Sequence, residues 1–172
     1  MQQLSNLDAA FLALESDQSP MHIGCILTFV KPASGSMSFQ KFTSYMASRL
    51  PCSPVFRRKL AGFPLGLDRP YWVDDRHFDL TRHLQHVRIS GNDAESQRTA
   101  QIDAFFSQRL PLDRPLWKML FIEYSGDKKG EFAVLLKLHH AAVDGISAEK
   151  VLSALLTTEP SDTQALTDAW TP

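Results

Sequence analysis

The sequence predicts an α/β (α+β) domain, a mixed or largely antiparallel sheet flanked by helices. Three observations carry that prediction. Helical and strand-like signals alternate along the chain. Two consecutive strand signals, 117–124 and 131–139, are joined by the polar segment SGDKKG, which suits a hairpin. The 172 residues, 44% hydrophobic and 22% charged, suffice for one real core and not for two ordinary ones.

The elements follow in order. Ser5 is placed to cap a short helix running through Asp8, Phe11, Leu12 and Leu14. Residues 22–30, HIGCILTFV, are rich in Ile, Val and Phe and predict a strand. KPASGSMS then breaks regular structure. Phe39, Phe42, Met46 and Leu50 recur at helical spacing, so 38–50 predicts an amphipathic helix that Pro51 ends. Residues 51–70, with Pro51, Pro54, Pro64 and Pro70, predict loops with short extended pieces. Tyr71-Trp72-Val73 and 83–89 (HLQHVRI) predict strands, and 93–109 predicts a helix with Ala100, Ala104 and Phe105 inward. After the hairpin, Val151, Leu152, Leu155 and Leu156 form one stripe of a helix over 146–157. The last stretch, TTEPSDTQALTDAWTP, has linker composition, which divides the chain into a domain over 1–157 and the start of a linker over 158–172.

Composition also excludes functions. Eighteen Lys and Arg against nineteen Asp and Glu give a net charge of −1, a poor field for nucleic acid. Two cysteines, Cys25 and Cys52, build neither a disulfide framework nor a CxxC metal site, and suit a reducing compartment as small buried hydrophobes. The apolar stretch Ile23 to Val30 is far shorter than the roughly 20 residues of a spanning helix. The opening MQQLSNLDAAF has no secretory pattern, so a cytoplasmic protein is expected.

Six histidines occur. His83 and His86 sit three apart without the Cys or carboxylate cluster a metal needs, and no metal site is predicted. His139-His140-Ala141-Ala142-Val143-Asp144-Gly145 stands apart. Along the preceding strand, Phe132, Val134, Leu136, Leu138 and His140 share one face by alternation, and Ala133, Leu135, Lys137 and His139 the other. An imidazole at the mouth of an apolar surface stays a neutral base, as a general base for an alcohol or amine requires. The plainer alternative is a His-His pair that merely ends a strand. Asp144 also has two readings, a helix cap or ion-pair partner that fixes the turn, or a carboxylate that orients an imidazole. Gly145 allows positive φ or close backbone approach.

HHAAVDG fits the HHxxxDG motif of the coenzyme-A-dependent acyltransferase superfamily, which includes chloramphenicol acetyltransferase and the condensation domains of peptide synthetases. Other segments narrow this. LSNLDAAFLALESDQSPMHIG, PVFRRKL at 54–60, YWVDDRHFDLTRHLQHV at 71–87 and LDRPLW at 112–117 resemble the bacterial wax ester synthase/diacylglycerol acyltransferase family. The resemblance covers Leu4 to about Leu156. It implies a chloramphenicol-acetyltransferase-like fold, a mixed sheet flanked by helices, that is one half of a two-domain enzyme. This chain then holds the first domain, with a C-terminal domain as partner in cis or as a separate chain.

The implied chemistry is transfer of a fatty acyl group from acyl-CoA to a long-chain alcohol or a diacylglycerol. His140 would be the general base, His139 a helper or structural residue, and Asp144 a structural partner of an arginine, with Arg114 a candidate. Arg114, Pro115, Leu116 and Trp117 match the family as a structural segment. Met21, Gly24 and Gly145 are candidates for the substrate site; for Met21 and Gly24 the plainer reading is a strand start with Gly for close packing. Acyl-CoA is a co-substrate, and no bound cofactor is implied. Contact with a membrane surface or lipid inclusions is compatible with the composition, and Arg57, Arg58 and Lys59 form a short basic cluster for CoA phosphate, an anionic surface or solvent. The alternatives are another HHxxxDG acyltransferase acting on an amine or small alcohol, and a non-catalytic lipid-binding half.

Overall fold

The computed structural model describes residues 2–30, 37–62, 68–91, 93–126, 129–143, 151–153, 155 and 156. Its centre is a four-stranded sheet. β2 (His22–Phe29) pairs antiparallel with β7 (Phe132–His139), β7 antiparallel with β6 (Trp117–Tyr124), and β6 parallel with β5 (Leu84–Ile89). The β6–β7 pair is the hairpin expected from SGDKKG, and Gly126 and Gly130 adopt φ of 72° and 98° in its connection, values that favour glycine. β7 is an inner strand, and every one of its residues is buried. A strand covered on both faces must read as a nearly continuous apolar run, as FAVLLKLH does apart from Lys137 and His139.

Two helices cover the faces. Ser38 accepts a hydrogen bond from the Lys41 N–H and starts α2 (Phe39–Arg49), which buries Phe42 and Met46. They join Trp117, Met119, Phe121, Val134 and Leu136 in the larger core. Leu155 belongs to the same core, and Leu152, expected to be buried, is partly buried and packs against it. Residues 146–150 of the expected last helix lie outside the described residues.

On the other face, α3 (Ala94–Ser107) crosses between the parallel strands β5 and β6, as parallel pairing requires. Phe105, Ile102 and Phe106 pack there against Ile89, Leu120 and Leu135. Ala100 and Ala104, expected inward, are exposed. The helix seats its phenylalanine pair on the sheet, and small alanines do not decide which face is buried.

A second sheet, in the order β1-β4-β3, lies apart from the first. β3 (Arg58–Ala61) pairs antiparallel with β4 (Tyr71–Asp74), and the two-residue β1 (Gln2–Gln3) adds to β4. β1 has no counterpart in the sequence reading, because two residues carry no periodicity. The basic cluster is paired across this sheet, three cations to two carboxylates: Arg57 and Arg58 meet Asp74 at 3.3 and 3.6 Å, and Lys59 meets Asp75 at 3.0 Å. α1 (Asn6–Leu14) is capped by Ser5, whose hydroxyl accepts from the Asp8 N–H, and no residue of this helix is buried.

Candidate functional site

β2 and β7 bring the histidines together. Their register pairs His22 with His139 and Gly24 with Lys137, so these lie on one side of the sheet. His140 follows the strand in a turn, and its N–H donates to the Met21 carbonyl at 2.8 Å, extending the ladder by one pair. His140 is a partly exposed residue, and its ring stacks on Phe11 of α1, with centroids 4.9 Å apart.

His139 has no exposure. Its Nδ1 accepts the Ala141 N–H at 3.0 Å. A backbone N–H can only donate, so the ring proton must sit on Nε2. Among the described residues Nε2 has no hydrogen-bond partner, and Glu15 Oε1 lies 3.5 Å from it. Burial pulls the His139 pKa down and the Glu15 charge opposes that.

Glu15, directly after α1, is the centre of a buried charged cluster. Its side chain has no exposure, Oε1 accepts the Met21 N–H at 3.3 Å, and Oε2 accepts from Arg109 at 2.9 Å. Burial alone would raise its carboxyl, but the Arg109 hydrogen bond, His139 and the Met21 N–H together hold it below the ordinary range. His22 Nε2 lies 3.3 Å from both Glu15 Oε1 and the Leu110 N–H. Burial, reinforced by the nearby Lys137 charge, lowers His22 to about 4. Lys137, itself lowered to about 8 by burial, donates to the Phe105 and Gln108 carbonyls and so closes the C-terminal end of α3.

The other expected residues separate. Gly24 packs against α3: a Cβ there would lie 2.3 Å from the Phe106 ring and 2.6 Å from the Leu136 carbonyl oxygen, so its small size serves packing. Met21 acts through its backbone, bonded to both Glu15 and His140. In the Arg114-Pro115-Leu116-Trp117 segment, the Leu116 carbonyl accepts the His139 N–H at 3.0 Å and the Trp117 indole donates to the Phe56 carbonyl at 3.0 Å. Arg114 meets Asp113 at 2.9 Å, and Asp144 and Gly145 lie outside the described residues. His83 stacks on Trp117 and its Nδ1 lies 2.9 Å from the Trp117 carbonyl; burial lowers it to about 4. His86 meets Glu123 at 3.0 Å.

Sequence reasoning gave Glu15, Arg109 and Lys137 no role. The available signal was Lys137, a charge beside Ala133 and Leu135 on the strand face it shares with His139, which must find acceptors. Cavities lie beside the histidine turn and against the sheet. One of about 380 Å³ borders Ala141, Ala142 and Val143 and is lined also by Asp8, Arg58 and Trp72. The other, about 280 Å³, lies between α2 and the sheet against Leu27, Phe29, Phe132, Val134 and Leu136. Among the described residues no helix is long and apolar enough to cross a membrane.

A family model described as the wax ester synthase/diacylglycerol acyltransferase catalytic domain matches residues 4–172. A Mycobacterium tuberculosis protein named as a diacylglycerol O-acyltransferase is 37% identical over 163 residues, 93% of this chain and 32% of its own length. Another from the same organism is 36% identical over 168 residues, 96% of this chain and 35% of its own. The wax ester synthase/diacylglycerol acyltransferase structure from Marinobacter aquaeolei VT8 matches with a TM-score of 0.72 at 29% identity, over 92% of this chain and 39% of that one. The starter condensation domain of rhizomide synthetase shares the fold, with a TM-score of 0.69 at 12% identity over 90% of this chain and 37% of that one. This chain spans about a third of the length of these relatives.

Proposed function

This chain belongs to the wax ester synthase/diacylglycerol acyltransferase family, and from that premise we propose that it is the N-terminal part of an enzyme that moves a fatty acyl group from acyl-CoA to a long-chain alcohol or a diacylglycerol. The observation that supports this most is the family's HHxxxDG histidine pair at the end of an inner strand, with His140, a partly exposed residue, backbone-bonded to Met21 and its ring stacked on Phe11. In this reading His140 takes the proton from the acceptor hydroxyl as its oxygen attacks the thioester carbonyl. The tetrahedral oxyanion then collapses and expels the CoA thiolate. The thioester is already activated, so the reaction needs no bound cofactor, and acyl-CoA is a co-substrate. The apolar cavity between α2 and the sheet suits an aliphatic chain better than a phosphate.

The remaining assignments belong to the same reading. Residues 1–157 form the domain and 158–172 begin a linker to a C-terminal domain, which completes the site in cis or as a separate chain. The enzyme works in the cytoplasm, peripherally at the inner membrane or at lipid inclusions. The test supplies this chain with a C-terminal domain of the family and measures thiol release from palmitoyl-CoA, with hexadecanol or a diacylglycerol as acceptor and the ester identified by mass. No ester from the wild-type protein overturns the reading. The shared condensation-domain fold favours one second reading, acyl transfer to an amine from a carrier-protein thioester, which the donor distinguishes.

A further inference from the structure

We propose that Glu15 is a positioning residue for His140, acting through its reach to Met21 and His139; this rests on the acyl-transfer reading above. Two supports hold the turn that presents His140. On one side the His140 N–H is bonded to the Met21 carbonyl, and the Met21 N–H is bonded to Glu15 Oε1 at 3.3 Å. On the other side the Ala141 N–H is bonded to His139 Nδ1, and His139 Nε2 faces the same Glu15 oxygen at 3.5 Å. One carboxylate therefore touches the residues that grip His140 from before and after. Arg109 holds the second carboxylate oxygen at 2.9 Å and is itself tied to Asp17 at 3.3 Å, so the carboxylate cannot rotate freely. Phe11, one helical turn before Glu15, stacks on the His140 ring.

The clamp spans residues far apart in sequence and has no contact with solvent at Glu15 or His139. The same carboxylate also pairs with Arg109 and lies 3.3 Å from His22 Nε2. Apolar side chains would fill the space at lower desolvation cost. What a carboxylate adds is acceptor geometry toward Met21 and His139, and thereby a fixed place for His140. A general base displaced by about 1 Å loses on the order of a hundredfold in rate.

Two conservative variants separate reach from charge. Glu15→Gln keeps the length and an acceptor oxygen but not the charge; Glu15→Asp keeps the charge but is one methylene shorter. In the ester-forming assay, Glu15→Asp is expected to lower kcat about ten- to hundredfold with the KM for acyl-CoA unchanged. Glu15→Gln keeps an acceptor oxygen toward Met21 and His139 but turns an NH2 toward Arg109, so its kcat is expected to fall below wild type but less than that of Glu15→Asp. A cycle with His139→Ala is expected to be non-additive, because both act through one turn. A Glu15→Asp enzyme at the wild-type kcat, a Glu15→Gln enzyme slower than Glu15→Asp, or an additive cycle each overturns the proposal. Histidine ¹⁵N spectra of this chain read the clamp without turnover. They should show His139 with its proton on Nε2, and His140 resonances that move in Glu15→Asp; unmoved resonances overturn the proposal. If the wild-type enzyme makes no ester, the acyl-transfer reading falls and these spectra alone decide the clamp.

Discussion

The two adjacent histidines differ in what removing each would cost. His140 is partly exposed; its backbone N–H is bonded to Met21 and its ring stacks on Phe11. His140→Ala should therefore keep the fold while lowering kcat about 10²–10⁴-fold, the usual loss of a general base. His139 is fully buried and accepts a backbone N–H, so His139→Ala leaves that N–H unpaired and should cost about 1–3 kcal/mol. Thiol release and a melting curve on each variant check this, and a dead His139→Ala beside an active His140→Ala would invert the assignment. Protonation gives a second test. His22 and His83 are both lowered to about 4 by burial, against 6.5 for an ordinary ring. A depressed imidazole binds its proton more weakly in the folded than in the unfolded chain, so the contribution of these two rings is constant above pH 6.5 and stability falls as pH drops from 6.5 toward 4. Each ring accounts for roughly 3 kcal/mol over that window. Glu15, held below the ordinary carboxylate range, adds a loss in the same direction at still lower pH. Urea midpoints between pH 7 and 4.5 should decline, and His22→Gln should flatten the slope; a parallel decline in that variant would remove His22 as a cause.

At the scale of elements, local signals were readable and long-range ones were not. β2, α2, the β6–β7 hairpin and the capped α1 each announce themselves within a dozen residues, through alternation, 3.6-residue spacing, Ser caps and turn chemistry. The parallel β5–β6 pairing and the separate β1-β4-β3 sheet depend on partners that no local window contains. The inward face of α3 was misassigned because alanine fits either side, whereas Phe105 and Phe106 have area to bury. The same division holds at the site. The histidine pair is a contiguous motif and stood out at once, while Glu15, His22, Arg109 and Lys137 meet only after β2 docks on β7. Gly24 shows how tightly that docking is set. Gly24→Ala brings a methyl against the Phe106 ring and a backbone oxygen, and should destabilise by about 1–3 kcal/mol in urea unfolding. An unchanged midpoint would mean that β2 and α3 are less closely packed than described.

At the scale of the whole molecule, the apolar surface is incompletely used. α1 buries none of its residues, Leu7 and Leu14 are each 66% exposed, and Val30 is 79% exposed. Exposed apolar surface of this kind is expected where a further domain packs. Residues 1–172 alone should therefore be inactive and should bind an environment-sensitive dye such as ANS. Adding the C-terminal domain should restore turnover and reduce the dye signal, whereas full turnover by the chain alone would refute the division of labour. The β2–β7 pairing has a further consequence, in the order of folding. β6 and β7 are joined by a short turn and can zip within microseconds, but His22 and His139 are more than a hundred residues apart. Closing that long loop is an entropic cost the hairpin does not bear, so contacts across β2 and β7 should form late and φ-values should be low in β2 and high in the hairpin. The hairpin is then a nucleus that carries His139 and His140 from the start, yet holds them without Met21 or Glu15. The histidine turn is then fixed only when β2 docks, and the chain acquires its histidines' geometry in the same step that joins β2 to the sheet.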